Sequence, residues 1–301
     1  MENRYNHLNE YYKNKFGERV LKICIDGNFT CPNRDGKCGF GGCIFCGEKG
    51  SGEHLNSTKS IENQVKNFLA SYRGKRANKF IAYFQNFSNT YDSLQNLKSK
   101  YDSALIDKRI IGLSVATRPD CIDEEIAQLL NSYAKSYYVS VELGLQTSND
   151  TTAKLINRGY STKVFSEAVK LLRKYNIDIV AHVMIGLPNE NRNDLLNTIH
   201  FLNSQDIQGI KLHSTYIIKN TKLEDLYNSN NYFPISLEEY IAQACIALAN
   251  LRKDIIIHRI SGDAPKELLV APEWNLHKKW IINGIEKYLR ENDLWQGKHI
   301  H

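Results

Sequence analysis

Residues 24 to 47 constrain this chain more than any other stretch: Cys-Ile-Asp-Gly-Asn-Phe-Thr-Cys-Pro-Asn-Arg-Asp-Gly-Lys-Cys-Gly-Phe-Gly-Gly-Cys-Ile-Phe-Cys-Gly. Five of the seven cysteines lie here (Cys24, Cys31, Cys38, Cys43 and Cys46), with glycines at 27, 36, 39, 41 and 42 among them. Glycine lets the backbone take positive φ and lets a bulky group approach closely. Thiols gathered in such a loop point to a metal or cluster site. A disulfide framework fits poorly, because the chain is long and its cysteines are concentrated rather than spread as staples. Two readings stay level on the loop alone. One is a structural zinc held by Cys31, Cys38, Cys43 and Cys46. The other is an iron–sulfur cluster held by three thiols, with one iron left open for chemistry.

The remaining composition is that of an ordinary globular chain of 301 residues, long enough for one α/β barrel. Its net charge of +6, from 39 basic and 33 acidic residues, suits a polyanionic partner without requiring one. The segment Met-Glu-Asn-Arg-Tyr-Asn-His lacks the apolar core of a signal peptide. No run approaches the roughly 20 apolar residues of a membrane span. The expected setting is cytoplasmic, where thiols stay reduced, with no membrane partner.

Along the chain, strand and helix patterns alternate. Residues 4–16 read as a short helix, 20–25 as a strand leading into the cysteine loop, and 59–72 as a helix with Ile61, Val65, Phe68 and Leu69 on its buried stripe. Strands follow at 79–84, 110–116, 137–145, 177–185 and 207–213, each of the first four followed by a helical pattern. Such alternation gives a parallel sheet with right-handed crossovers. Six units from 20 to about 228 predict an α/β fold, a partial (β/α)6 barrel of the TIM-like type. Residues 229–301 read as a C-terminal α/β appendage: a helix at 237–251, a short strand at 255–260 and a helix at 274–289, with His258 to Pro265 able to cap the barrel mouth.

Several polar residues are out of place in buried parallel strands. Gln85 and Asn86 follow the second strand, Thr117 and Arg118 the third. Glu142 interrupts the fourth and Gln146 ends it. His182 sits within the fifth, and Lys211 and His213 end the sixth. Any one of these reads equally well as a structural residue: a hydrogen-bonded core histidine, a buried partner for Arg118 or Arg158, a turn before a helix. Together they ring the C-terminal strand ends, the active face of a parallel barrel, on which the cysteine loop also opens.

With these residues in view, the chain resembles the radical S-adenosylmethionine (SAM) enzymes. More narrowly it resembles the YhcC/YtqA-type subfamily, related to the Elongator catalytic subunit and the oxygen-independent coproporphyrinogen oxidases. The matching stretches are Cys31-Pro-Asn-Arg-Asp-Gly, Gly41-Gly-Cys-Ile-Phe-Cys, Ala82-Tyr-Phe-Gln, Asn89-Thr-Tyr, Thr117-Arg-Pro-Asp-Cys, Val141-Glu-Leu-Gly-Leu-Gln-Thr, Ile156-Asn-Arg-Gly, Gly186-Leu-Pro, Gly209-Ile-Lys-Leu-His and Ser261-Gly-Asp-Ala-Pro. They run in order from about residue 5 to 297.

The resemblance implies a radical SAM barrel over 1–228, with the cluster loop at 24–47, and a capping appendage over 229–301. It implies a [4Fe–4S] cluster on Cys31, Cys43 and Cys46. Eleven residues separate the first two, wider than the superfamily's common Cys-x-x-x-Cys-x-x-Cys spacing but usual in this subfamily. Cys38 falls where relatives carry another residue. The cluster and SAM would together yield a 5′-deoxyadenosyl radical. By the same resemblance Phe45 and Gly186, Leu187 and Pro188 would adjoin the adenine. Gln85, Asn86 and Asn89 would approach the methionine end, Glu142 and Gln146 the ribose or amino group, and Arg158 the carboxylate. His182, Lys211, His213 and Asp263 are expected to contact substrate. Related proteins remodel the carboxymethylaminomethyl side chain of tRNA wobble uridine, so the implied partners are tRNA and a one-electron reductant such as a flavodoxin or ferredoxin. Two other readings remain open: a radical SAM enzyme acting on a tetrapyrrole or small metabolite, and a non-catalytic zinc protein that binds RNA.

Overall fold

The computed structural model describes residues 3–50, 52, 53, 55 and 58–300. A first helix, α1 (Leu8–Phe16), precedes β1 (Val20–Ile25). Then come α2 (Ile61–Ala70), β2 (Lys79–Phe84), α3 (Leu94–Asp102), β3 (Ile110–Thr117), α4 (Glu124–Ala134) and β4 (Tyr138–Gln146). The pattern continues through α5 (Asp150–Leu155), α6 (Thr162–Arg173), β5 (Asp178–Ile185), α7 (Arg192–Asn203) and β6 (Gly209–Ser214). The last part holds β7 (Ile217–Ile218), α8 (Lys222–Asn228), α9 (Leu237–Ala249), β8 (Ile256–Arg259), β9 (Leu269–Ala271) and α10 (Lys278–Glu291). Short polar residues start the crossover helices: Ser60, Ser93 and Asp123 accept the amide hydrogens of Asn63, Asn96 and Ile126. Asn191 and Asp194 form a reciprocal capping box on α7.

Strands β1 to β6 lie side by side in sequence order, all parallel, in a curled sheet. A seventh strand joins them. The short strand expected near 255–260 is β8, and it pairs parallel to β6. The sheet therefore extends one strand beyond the six expected, and residues after 229 complete it as well as adjoin its mouth. Residues before α1 are not helical, as the pattern from residue 4 suggested. The Ile257 amide donates to the Asn6 carbonyl, and His7 bridges to Ile257.

Alternation along each strand separates two environments. On β4, Val139, Val141, Leu143 and Leu145 face the helices in the main core. The intervening Ser140, Glu142, Gly144 and Gln146 face inward. The barrel floor is plugged by α1: Tyr12, Val20 and Ile81 pack together with Leu8, Phe16 and Tyr138. One step above this plug lie Lys22, Tyr83, Ser140 and Glu142, so the interior turns polar toward the cysteine loop.

Candidate active site

The cysteine loop is fixed by backbone hydrogen bonds more than by regular structure. Arg34 N–H donates to Cys31 O (2.8 Å), Gly42 N–H to Asn33 O (2.9 Å) and Cys46 N–H to Cys43 O (3.0 Å). Gly41 and Gly42 take positive φ (77° and 76°), a conformation costly for any side chain. Neighbouring elements pin the loop. Ile44 N–H reaches Ile156 O, Leu223 N–H reaches Ile44 O, and the Asn157 side-chain amide donates to Gly42 O at 2.7 Å. The Arg34 guanidinium gathers the carbonyls of Cys46, Gly47 and Glu48.

No cysteine is in a disulfide. Burial first, with Cys46 and Cys31 acting in the same direction, pushes the Cys43 thiol up to about 12. Burial and Cys31 likewise raise Cys46. Three thiols thus lie close enough to oppose one another's ionisation, the situation that an iron–sulfur cluster relieves. Among the described residues no three His, Cys, Asp or Glu side chains converge tightly enough for a single ion. A four-iron cluster takes one thiolate per iron and accepts a wider triangle. Polar atoms without partners adjoin the loop: Asn33 Oδ1, Asn89 Oδ1, and both Asn86 amide atoms, which press against Gly52 where no Cβ would fit. The donor set and these orphaned groups fit a cluster with a polar ligand beside it. Cys38 is exposed; its sulfur lies 3.5 Å from Arg118 Nη2 and 3.9 Å from Asp120.

Beside the loop, Tyr160 lies between two guanidinium groups, those of Arg118 and Arg158, each 4.7 Å from its ring centre. Its hydroxyl donates to Gly144 O and toward Gln146 Oε1. Arg118 forks onto Asp120 (2.9 and 2.6 Å) and donates to Arg158 O. Arg158 is fully buried and donates to the carbonyls of Leu145, Thr147 and Tyr160 and to Asp150. It fastens the turn after β4, and each of its three nitrogens has a partner there. Asn89 is similar: its side-chain amide donates to Asn86 O and Ala116 O, joining the loop after β2 to strand β3.

The barrel interior centres on Glu142, which is fully buried. Its Oε1 accepts Lys22 Nζ at 2.6 Å; its Oε2 accepts Tyr83 Oη at 2.7 Å and lies 2.8 Å from His182 Nε2, and Lys211 joins the same oxygen. Burial alone would raise the Glu142 pKa, but Lys211, Lys22 and His182 hold it well below the usual carboxylate range. Burial lowers Lys211 to about 8 against the pull of Glu142, with Lys22 and Arg259 repelling. His213 lies beside His182, ring centres 5.1 Å apart with the planes tilted by 41°, and burial keeps its pKa well below the ordinary value.

Of the residues singled out from sequence, the structure brings together two sets. Phe45 and Leu187 share a small apolar cluster with Ile44, Ile156 and Met184, and Gly186 takes φ 85° with its carbonyl held by Tyr232. Glu142, His182, Lys211 and His213 form the interior set. Asp263 stands at the exposed rim against Arg259 (3.1 Å) and Lys278 (2.9 Å). Gln85 is half-buried, its amide on Ile25 O. Sequence reasoning passed over Lys22, Tyr83 and Tyr160, and took Arg259 only as part of the segment capping the mouth. A lysine inward on β1 in register with the β2 face was the available signal for the first.

A parallel half-barrel with a three-thiol loop over its C-terminal mouth defines the radical SAM class. The sequence matches the Radical SAM superfamily over residues 35–202 and the Radical_SAM C-terminal domain over 207–291. The chain belongs to the radical SAM superfamily. It is 37% identical to YtqA of Bacillus subtilis, over 99% of this chain and 93% of YtqA. It is 33% identical to YhcC of Escherichia coli, over 92% of this chain and 90% of YhcC. Its fold is similar to that of Elp3 from Methanocaldococcus infernus (TM-score 0.71, 18% identity), covering 92% of this chain and 64% of the Elp3 chain. The protein is accordingly a radical SAM enzyme, a family that uses a [4Fe–4S] cluster and SAM. No helix of the described residues is long and apolar enough to cross a membrane.

Proposed function

We propose that this radical SAM enzyme acts on tRNA, remodelling a carboxymethylaminomethyl-type side chain at C5 of the wobble uridine. The observation that carries the reading is the charged, hydrogen-bonded barrel interior around Glu142, which suits a polar substrate group with ionisable atoms.

In this reading Cys31, Cys43 and Cys46 hold the cluster. With SAM bound and one electron from the reductant, the cluster would supply radical chemistry able to abstract hydrogen from carbon. The chain's own residues do the rest. Phe45 and Leu187 present an apolar wall for an adenine. Asn86 and Gln85 offer polar contacts beside the cysteine loop. Arg158, Asn89 and Tyr160 are positioning residues that hold the loops after β2 and β4. Glu142 orients Lys22, His182 and Lys211, and the plug of Tyr12 and Phe16 excludes water from below. Exposed Phe40, 76% accessible, sits on the cysteine loop with Lys37 nearby in sequence, where an RNA base and backbone would approach. Residues 1–228 supply the barrel and 229–301 the cap and the seventh strand. A flavodoxin or ferredoxin serves as electron donor, in a cytoplasmic setting that keeps the unpaired thiols reduced.

The test is to delete the gene and profile tRNA nucleosides. Accumulation of the carboxymethylaminomethyl nucleoside is expected; an unchanged wobble-uridine profile overturns the proposal.

A further inference from the structure

The barrel interior carries more positive than negative charge on one side. Lys211 of β6 is in register with Arg259 of β8. Arg259 acts electrostatically on Lys211, His182 and His213, which places its guanidinium toward the same space. Lys22 enters from β1. Against these three cations the interior sets one fully buried carboxylate, Glu142. Asp263 meets Arg259 at the rim but is shared with Lys278, and Glu53 lies farther up, its acidity weakened by burial. His182, His213 and His258 are all pushed toward the neutral form by burial, so they do not add to the positive charge.

Polar atoms on this side lack partners. Lys211 and His213 share the inward face of β6, Arg259 is the last residue of β8, and Thr215 and Ser261 lie just past the ends of these two strands. His213 Nε2, Thr215 Oγ1, His258 Nδ1 and Ser261 Oγ are buried without a hydrogen-bond partner. Thr215 and Ser261 are each 1% exposed. Buried hydroxyls and ring nitrogens in native proteins are almost always satisfied, by protein, water or ligand. The Arg259 side chain is 34% exposed, reachable from the mouth.

We propose that the β6–β8 side of the barrel interior is a carboxylate-binding site, in which Arg259 and Lys211 receive the anionic group and His213, Thr215 and Ser261 complete its hydrogen bonds. A guanidinium fork matches a planar carboxylate in two parallel bonds. Of the excess of two positive charges left by Glu142, a bound carboxylate offsets one, and Asp263 at the rim offsets part of the other. Resting on the tRNA reading, the carboxylate is that of the C5 side chain, and Arg259 is the residue that selects it over a shorter aminomethyl group.

Two measurements separate the site from its source. In the reconstituted protein labelled with ¹⁵N-histidine, sodium acetate should shift the His213 imidazole saturably at constant ionic strength, and acetamide should not. Arg259→Gln should abolish the shift and Arg259→Lys weaken it, with thermal unfolding confirming that both variants fold. No acetate shift, a shift unchanged in Arg259→Gln, or a stronger shift with inorganic phosphate overturns the site. In the second measurement, an anticodon stem-loop carrying the carboxymethylaminomethyl uridine should bind roughly tenfold tighter than its aminomethyl counterpart, a preference lost in Arg259→Gln. Equal binding of the two RNAs beside an intact acetate response upholds the carboxylate site and removes tRNA as its source.

Discussion

Lys22 Nζ lies 2.6 Å from Oε1 of Glu142, a contact between residues 120 apart in sequence and in the centre of the barrel. Lys211, His182 and Tyr83 converge on the other oxygen. Replacing one partner of a buried charge network leaves the others uncompensated. Glu142→Gln should destabilise the protein by about 3–5 kcal/mol, and adding Lys22→Met should recover part of the loss. Denaturant unfolding of the two single variants and the double variant checks this; purely additive losses would show that the pair is not coupled.

Arg158 is fully buried and donates to three carbonyls and one carboxylate. A lysine offers a single ammonium group that does not reach all four. Arg158→Lys should cost about 3 kcal/mol through unsatisfied buried acceptors. If it is neutral in thermal unfolding, the residue is not the fastener of the turn after β4.

The interior histidines set a pH response. Burial first, then neighbouring cations, keeps His213 and His258 well below 6.5 and lowers His182, although Glu142 pulls the other way. Below about pH 6.5 the unfolded chain therefore binds more protons at these sites than the folded one, and stability falls as pH drops. The loss should be visible between about pH 7 and 5, at up to ~1.4 kcal/mol per pH unit for each histidine. It should be shallower in His213→Asn/His258→Asn. Glu142, with its folded pKa depressed, loses its contribution only at lower pH, as pH falls below 4.5. A flat profile from pH 7 to 5 contradicts the neutral assignment.

Gly39 sits where a Cβ would lie 2.1 Å from Asn33 Oδ1. Asn33 is held by Asn157 O at 2.6 Å and reaches Cys43 Sγ at 3.9 Å, so it has little room to move. Gly39→Ala should displace it, at about 1–3 kcal/mol. The reconstituted variant should retain less iron after desalting than wild type. Equal retention would mean that Asn33 does not shape the cysteine triangle.

Much of this was legible in the chain because local patterns agree with the fold. The strands at 79–84, 110–116 and 177–185 and the helix at 192–203 recur within a residue or so, since apolar runs with polar residues or glycine at their ends leave little choice. The cysteine loop and the inward Glu142 and His182 stood out as polar breaks in apolar strands. Partnership did not. Lys22 in Val-Leu-Lys-Ile-Cys-Ile looks like the polar side of a half-exposed strand, and only the curl of the sheet brings it to Glu142. Arg158 looks like a ligand residue because its carbonyl partners carry no sequence signal. The seventh strand, β8, is four residues long, and its place beside β6 is set by tertiary packing after α9.

The measurement that tests the central account most directly is anaerobic reconstitution with iron and sulfide, followed by reductant and SAM, with 5′-deoxyadenosine quantified. The wild type and Cys38→Ala should form it, while Cys31→Ala, Cys43→Ala and Cys46→Ala should each lose both the cluster and the product. Loss in Cys38→Ala with retention in Cys31→Ala would move the third ligand to the exposed rim thiol, and a wild type that takes up zinc and forms no 5′-deoxyadenosine would contradict the account of the site altogether.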